Sequence, residues 1–263
     1  MMDDVRARVD RLALPWNAYG SDPYGISKRD LVWFFAAATF LYRDYFRVRA
    51  IGTEHVPSHG RAMLVGNHSG GIALDALIVI AAMFLEKDPP RLAQGMAEKF
   101  LAKTPFASRL TNRLGHLTGL PEHVVQMLEA ERLVLVFPEG ARGTAKLFWD
   151  RDSLVHFGTG FMRLALQTRS PVVPFGFVGG GEAIPTIANS YKLGRLLGAP
   201  YVPFTPWIAP VPLPVRLEVR FGSAMRFEGN GNEDDATIEE KVEEVKRRIA
   251  ALVAEGRRSL RVA

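Results

Sequence analysis

The stretch VGNHSGGIALDAL, residues 65–77, sets one histidine and one aspartate between two apolar runs. His68 stands in an Asn-His-Ser-Gly-Gly turn, and Asp75 follows it by seven positions. A neutral imidazole accepts a proton near pH 7. A carboxylate on its other ring nitrogen selects the tautomer and stabilises the imidazolium. Such a base contributes about 10² to 10⁴ in rate. Gly70 and Gly71 leave no side chains beside the ring, so a substrate can approach closely. On one continuous helix, His68 and Asp75 would share a face yet stand roughly 10 Å apart along the axis. A working pair therefore requires the glycine turn to fold His68 back over the helix. The plainer alternative is a capping histidine and an aspartate that satisfies amides at a helix start.

A second stretch, FPEGARGTAK at residues 137–146, directly follows the apolar run LVLVF. It offers Glu139, Arg142 and Lys146 in a glycine-containing loop. A guanidinium and an ammonium there can hold a phosphate, and Glu139 can orient Arg142 or accept a hydroxyl. A surface turn with an ion pair is the plainer reading.

The elements around these loops follow from periodicity. Ala62–Val65, Leu133–Phe137 and Val172–Phe175 are continuous apolar runs of the kind that form strands buried on both faces. FRVRAIG and Arg216–Phe221 alternate as strands do, with a turn at Val56-Pro57-Ser58 and Gly60. Helices are expected from Asp30 as a cap through Phe46, over Ile72–Leu85, over Glu122–Glu131 entered through Pro121, and over residues 156–168. An amphipathic helix is expected over Thr237–Ala254, with acids at its start and arginines after its end. Alternating strand and helix predict a single α/β domain with a mostly parallel central sheet flanked by helices. Its organisation reads as an N-terminal helical segment (1–46), either packed in the core or membrane-associating, an α/β core (47–228) and a C-terminal helix packed on the core (229–263). Residues 196–215 carry no charge and six prolines. Proline excludes a regular helix or central strand there, so the segment is expected to run extended over the core, along an acyl-chain groove or against lipid.

Composition narrows the function classes. The chain has 263 residues, is 48% hydrophobic and lacks cysteine, which excludes disulfides, thiolate nucleophiles and cysteine-held metals. A net charge of +5 suits anionic partners. The basic residues are scattered, and no recognition module for nucleic acid is present, so a membrane surface or a phosphorylated substrate is the expected partner. The first residues lack the apolar stretch of a secretory signal. Leu31–Tyr42 is uncharged for 12 residues, short of the roughly 20 that span a bilayer. The expected location is the cytoplasmic face of a membrane, peripheral or monotopic.

Taken together, the two stretches resemble the lysophospholipid and glycerolipid acyltransferase family. That family carries an NHxxxxD element, then FPEGxRS, then a strand with valine, proline and an apolar residue. Here these are Asn67-His68 with Asp75, Phe137-Pro138-Glu139-Gly140-Ala141-Arg142, and Val173-Pro174-Phe175. Lys99, Phe100 and Pro105 resemble the family's lysine-containing segment between them. The likeness runs from about Val48 to Gly222. Two departures stand out: Ala73 occupies the family's aspartate position, with Asp75 two places beyond, and Gly143 stands where the family often has serine. The NHSGG form, the Gly179-Gly180-Gly181-Glu182 run and the PYVPFTPW segment are closer to the diacylglycerol and phytyl-ester branches.

The resemblance implies an O-acyltransferase in which His68 deprotonates an acceptor hydroxyl and Asp75 orients it. The alkoxide would attack the thioester of acyl-CoA or an acyl carrier protein. Amides near Gly140 would hold the oxyanion, and Arg142 with Lys99 would hold a phosphate on a lipid acceptor. No cofactor or metal is implied. Rival readings fit less well. No serine sits in G-x-S-x-G, although Ser69 adjoins His68. Nucleotide-binding fingerprints are missing, and His68 and Asp75 lack zinc-ligand spacing. A non-catalytic lipid-binding protein would share the same pocket, and thioester consumption distinguishes it.

Overall fold

In the structure, a computed structural model that describes residues 1–97, 117–118, 120–208 and 211–262, the apolar runs form the middle of one sheet. Its strands are β1 (Arg49–Ile51), β2 (Ala62–Gly66), β3 (Ala93–Ala97), β4 (Leu117–Thr118), β5 (Leu133–Val136), β6 (Val172–Val178) and β9 (Glu218–Phe221). They lie in the order β1-β9-β6-β2-β5-β3-β4. Every pairing is parallel except β6 with β9. Each residue of β2 and β6 is buried, which is why those runs show no polar alternation.

Helices cover both faces. On one side α2 (Lys28–Phe40) and α3 (Leu74–Leu85) pack with Leu64, Leu135 and Phe175. On the other, α4 (Pro121–Glu129), α6 (Gly160–Gln167) and α9 (Asp235–Val262) pack with Met63, Val65 and Val134. Between α4 and α6 a short α5 (Ala141–Thr144) opens the loop after β5. The expected α/β architecture is therefore present, with its mostly parallel sheet and C-terminal helix.

Several details depart from the sequence reading. Ser27, not Asp30, caps α2: its hydroxyl accepts from the Asp30 amide. Serine fits there because an extended cap residue can turn its oxygen onto the first free amides. An unforeseen helix α1 (Met2–Asp10) buries Val5 and Val9, and Arg8 donates to the carbonyls of Phe84 and Lys87 at 3.0 and 2.8 Å. The N-terminal segment thus shares a core with the sheet and terminates α3. The proline-rich stretch is not extended throughout. It begins in helix α8 (Tyr191–Leu197) and continues into β8 (Val202–Phe204), which pairs antiparallel with β7 (Ala188–Ser190). Pro203 is tolerated because this hairpin is a separate two-stranded sheet with no central strand. Among the described residues, no helix is long and apolar enough to cross a membrane.

Candidate active site

The two motifs meet because β2 and β5 are parallel neighbours in register, with Val65 opposite Val136. Both strands end at the same edge, so the residues after them emerge side by side. On its other side β2 pairs with β6, with Val65 opposite Pro174 and Gly66 opposite Phe175. Gly66 has to be glycine: a Cβ there would lie 2.2 Å from the Phe175 ring. Asn67 extends the pairing with its side chain. Its amide donates to the Phe177 carbonyl at 3.0 Å and accepts from the Phe177 amide at 2.8 Å. Loops at the carboxyl ends of neighbouring strands, reached from both sides of β2, are where open α/β sheets place their sites.

The turn after Asn67 solves the spacing problem. Gly70 and Gly71 both take positive φ, +93° and +77°, a conformation side chains resist. The chain reverses there, α3 starts only at Leu74, and His68 lies back over its first turn. His68 Nδ1 is 3.0 Å from Asp75 Oδ2. The same oxygen accepts from the Ser69 amide at 3.0 Å, while Oδ1 accepts from Ala76 at 2.8 Å. Asp75 therefore fills both roles anticipated for it, partner to the ring and acceptor of amides. A carboxylate can only accept, so Nδ1 carries a proton, and in the neutral ring Nε2 keeps its lone pair. Nε2 has no hydrogen bond among the described residues. The ring stacks on Phe137 with centroids 4.0 Å apart, and that residue begins the second motif.

Glu139 lies elsewhere than expected. Its Oε1 accepts from the His68 amide at 3.0 Å, and Oε2 accepts from Val155 at 3.2 Å and pairs with Lys146 at 2.5 Å. Both oxygens are engaged inside the protein, so Glu139 does not orient Arg142. Lys146 is buried and donates to the His68 carbonyl at 2.8 Å. Burial lowers its pKa from the ordinary lysine value, against the pull of Glu139. The sequence reading gave Lys146 to phosphate; the structure makes it an internal strut beneath His68.

Gly143 explains one departure from the family pattern. A Cβ there would lie 2.6 Å from Glu139 Cβ and 2.8 Å from His68 Cβ. The two loops touch at this point, and a serine has no room. Arg142 is exposed, with no ion pair among the described residues. Gly140 (φ +56°) gives its own amide to the Phe137 carbonyl at 3.0 Å, whereas the amides of Ala141 and Arg142 begin α5 without an intrahelical acceptor. Ser69 is buried against Gly180, where a Cβ would lie 1.9 Å from its hydroxyl, and it makes no bond to the His68 ring. That removes the serine-nucleophile rival. Lys99, with Phe100 and Pro105, lies outside the described residues.

The apolar hairpin closes over this edge. Tyr201 donates to the Gly71 carbonyl at 3.1 Å, and Asn189 to the Ala145 carbonyl at 2.7 Å. These two ties, one to each motif loop, were not anticipated from sequence, because a lone tyrosine or asparagine carries no positional signal.

Comparison with known proteins bears on the family and the fold. A family model described as Acyltransferase matches residues 47–178, from the start of the sheet through β6. An uncharacterised protein of Mycobacterium tuberculosis is 33% identical over 190 residues, 70% of this chain and 53% of its own. The DGAT1/2-independent enzyme synthesizing storage lipids of Bos taurus is 25% identical over 204 residues, 77% of this chain and 58% of its own. The chain thus spans about half the length of the curated relatives it matches. The crystal structure of the 1-acyl-sn-glycerophosphate acyltransferase PlsC from Thermotoga maritima has the same fold. Its TM-score is 0.55 at 18% identity, over 86% of this chain and 82% of that one. With its family model covering half its length and both signature loops joined at one sheet edge, the chain belongs to the acyltransferase family.

Proposed function

We propose that this chain moves a fatty acyl group from acyl-CoA or acyl-ACP to a hydroxyl of a lysophosphatidate-like glycerolipid, with His68 as general base. One observation carries the reading: the buried His68–Asp75 pair at 3.0 Å, whose outer nitrogen has no hydrogen bond among the described residues, lies against the first residue of the FPEGAR loop. Nε2 takes the hydroxyl proton as the oxygen attacks the thioester carbonyl. The tetrahedral adduct collapses with cleavage of the C–S bond, and the imidazolium returns its proton to the leaving thiolate. Asp75 holds the tautomer throughout. Since the Gly140 amide is spent, the Ala141 and Arg142 amides are the oxyanion donors in this scheme, each worth roughly 3–4 kcal/mol by analogy with a hydrolase. The exposed Arg142 receives the acceptor phosphate, together with Lys99. The scheme needs no cofactor beyond the thioester donor.

The acceptor reaches the site from a membrane surface. The exposed face of α2 presents Trp33 and Phe40, at 66% and 52% exposure, while its other face packs in the core. The hairpin unit above His68 exposes Leu196, Leu197 and Ile208. Apolar side chains on two such outward faces suit an interface with lipid.

A second reading, a neutral acceptor such as diacylglycerol or a long-chain alcohol, is favoured by the similarity to the bovine enzyme synthesizing storage lipids. One assay separates the readings. Thiol release from acyl-CoA is followed with lysophosphatidate, monoacylglycerol, diacylglycerol or long-chain alcohol. Fastest release with lysophosphatidate is expected; fastest release with diacylglycerol transfers the assignment to the neutral acceptor. No release with any of them leaves a lipid-binding protein.

A further inference from the structure

Beyond the His68 edge, a cleft of about 300 Å³ lies between α9, the loop after α5 and the residues following β6. Arg151, Asp152, Glu182, Arg216, Arg257 and Arg261 line it. Four guanidiniums face two carboxylates, and both carboxylates are already claimed. Arg257 binds Glu182 at 2.6 Å and pairs with Asp152, and Arg151 binds Glu182 at 2.7 Å. Arg151 is held further by the Phe148 carbonyl and ring, at 2.6 Å and 4.2 Å. Arg151 and Arg257 thus form a frame with the two carboxylates, and Arg216 and Arg261 lie exposed at its rim. Burial opposes ionisation of Glu182, yet Arg257 and Arg151 outweigh it and hold the carboxyl below its usual range. Its charge, and the frame it organises, therefore persist at neutral pH.

Fixed guanidinium forks around a concavity are a phosphate-binding arrangement. The position selects whose phosphate. The turn α7 (Gly180–Ala183) presses Gly180 onto Ser69, next to His68, while Gly179 and Glu182 of the same segment line the cleft. One helical turn thus separates the cleft from the reacting edge. The phosphate of a lysophosphatidate lies only a few bonds from its reacting hydroxyl, so it must stay on the His68 side. A phosphopantetheine thioester carries its phosphates at the far end of a long arm.

We propose that this cleft binds the phosphate-bearing end of the acyl donor, with Arg216 and Arg261 as direct contacts and the Glu182 network as their support. The proposal rests on the acyl-transfer reading, and its test reads binding apart from turnover. Coenzyme A, pantetheine, lysophosphatidate and inorganic phosphate are titrated calorimetrically into the wild type and into the Arg216→Gln, Arg261→Gln double variant. Both positions are exposed, and none of the pairs joining Arg151, Glu182, Arg257 and Asp152 runs through them. The wild type is expected to bind coenzyme A more tightly than pantetheine, and the variant to bind coenzyme A about tenfold more weakly with pantetheine unchanged. KM is expected to rise for acyl-CoA, for acyl-ACP or for both, with kcat retained; which donor responds identifies the one used. Equal coenzyme A affinity in the two proteins together with unchanged KM for both donors overturns the proposal, even if the wild type transfers acyl groups normally. A loss confined to lysophosphatidate also overturns it, giving the cleft to the acceptor. So does a loss confined to inorganic phosphate.

Discussion

The loops that leave β2 and β5 lie side by side and divide the work unequally. The first contains His68, the base in the proposed reaction, and its aspartate and two glycines hold that ring in place. The second carries the motif more easily recognised in sequence, yet most of it is scaffold: Glu139 and Lys146 are buried, bonded to each other and to the backbone of His68. Only Arg142 points outward. In the proposed reaction, chemistry and support fall to neighbouring loops because a base must reach substrate, whereas a charge pair that holds backbone is most rigid away from water.

Substitutions can break this division. His68→Ala is expected to lower kcat by about 10² to 10⁴ with the fold retained; circular dichroism and thiol release measure both, and residual activity above a tenth of wild type removes the base assignment. Glu139→Ala is the reverse case. It strands Lys146 in the interior, and denaturant unfolding is expected to show a loss of about 3–5 kcal/mol. A stable Glu139→Ala protein with ordinary activity contradicts the scaffold role.

Smaller changes sharpen the contrast. Gly143→Ala forces a methyl between Glu139 and His68, at an expected cost of about 1–3 kcal/mol, with kcat reduced because the ring shifts. An alanine variant indistinguishable from wild type in melting and turnover means the loops can part freely. Asp75→Asn is expected to reduce kcat with little change in KM, since the tautomer is lost while substrate contacts remain; unchanged kcat reduces Asp75 to an amide acceptor. Arg142→Ala has the mildest expected effect on the protein itself. It should raise KM for a phosphorylated acceptor well above any change for a neutral one, and equal effects on both withdraw the phosphate role.

Much of the scaffold was legible because burial leaves a direct mark on residue type. AMLVG, LVLV and VVPFGFV are apolar throughout because they are covered on both faces. β3 escaped notice since AQGMA has a buried glutamine and a glycine where an apolar run would be sought. Helix α1 escaped because its first turns are mostly charged and only Val5 and Val9 reach the core. At the site, His68, Asp75 and the FPEGAR loop were visible as residue types at particular positions. What Glu139 and Lys146 do there was not, since a carboxylate and an ammonium look alike in sequence whether they face substrate or each other.

By itself the sequence determined the alternation of strand and helix, the apolar centre of the sheet and the set of groups able to do acyl-transfer chemistry. These depend on local composition and on spacing along the chain. The tertiary structure decided that His68 and Asp75 touch across seven positions, because two glycines with positive φ reverse the chain. It also decided that Lys146 faces inward while Arg142 faces out, because parallel pairing of β2 with β5 brings the His68 backbone over one and leaves the other in water. Those outcomes depend on which strand lies beside which, a relation between residues some seventy positions apart that no local pattern encodes.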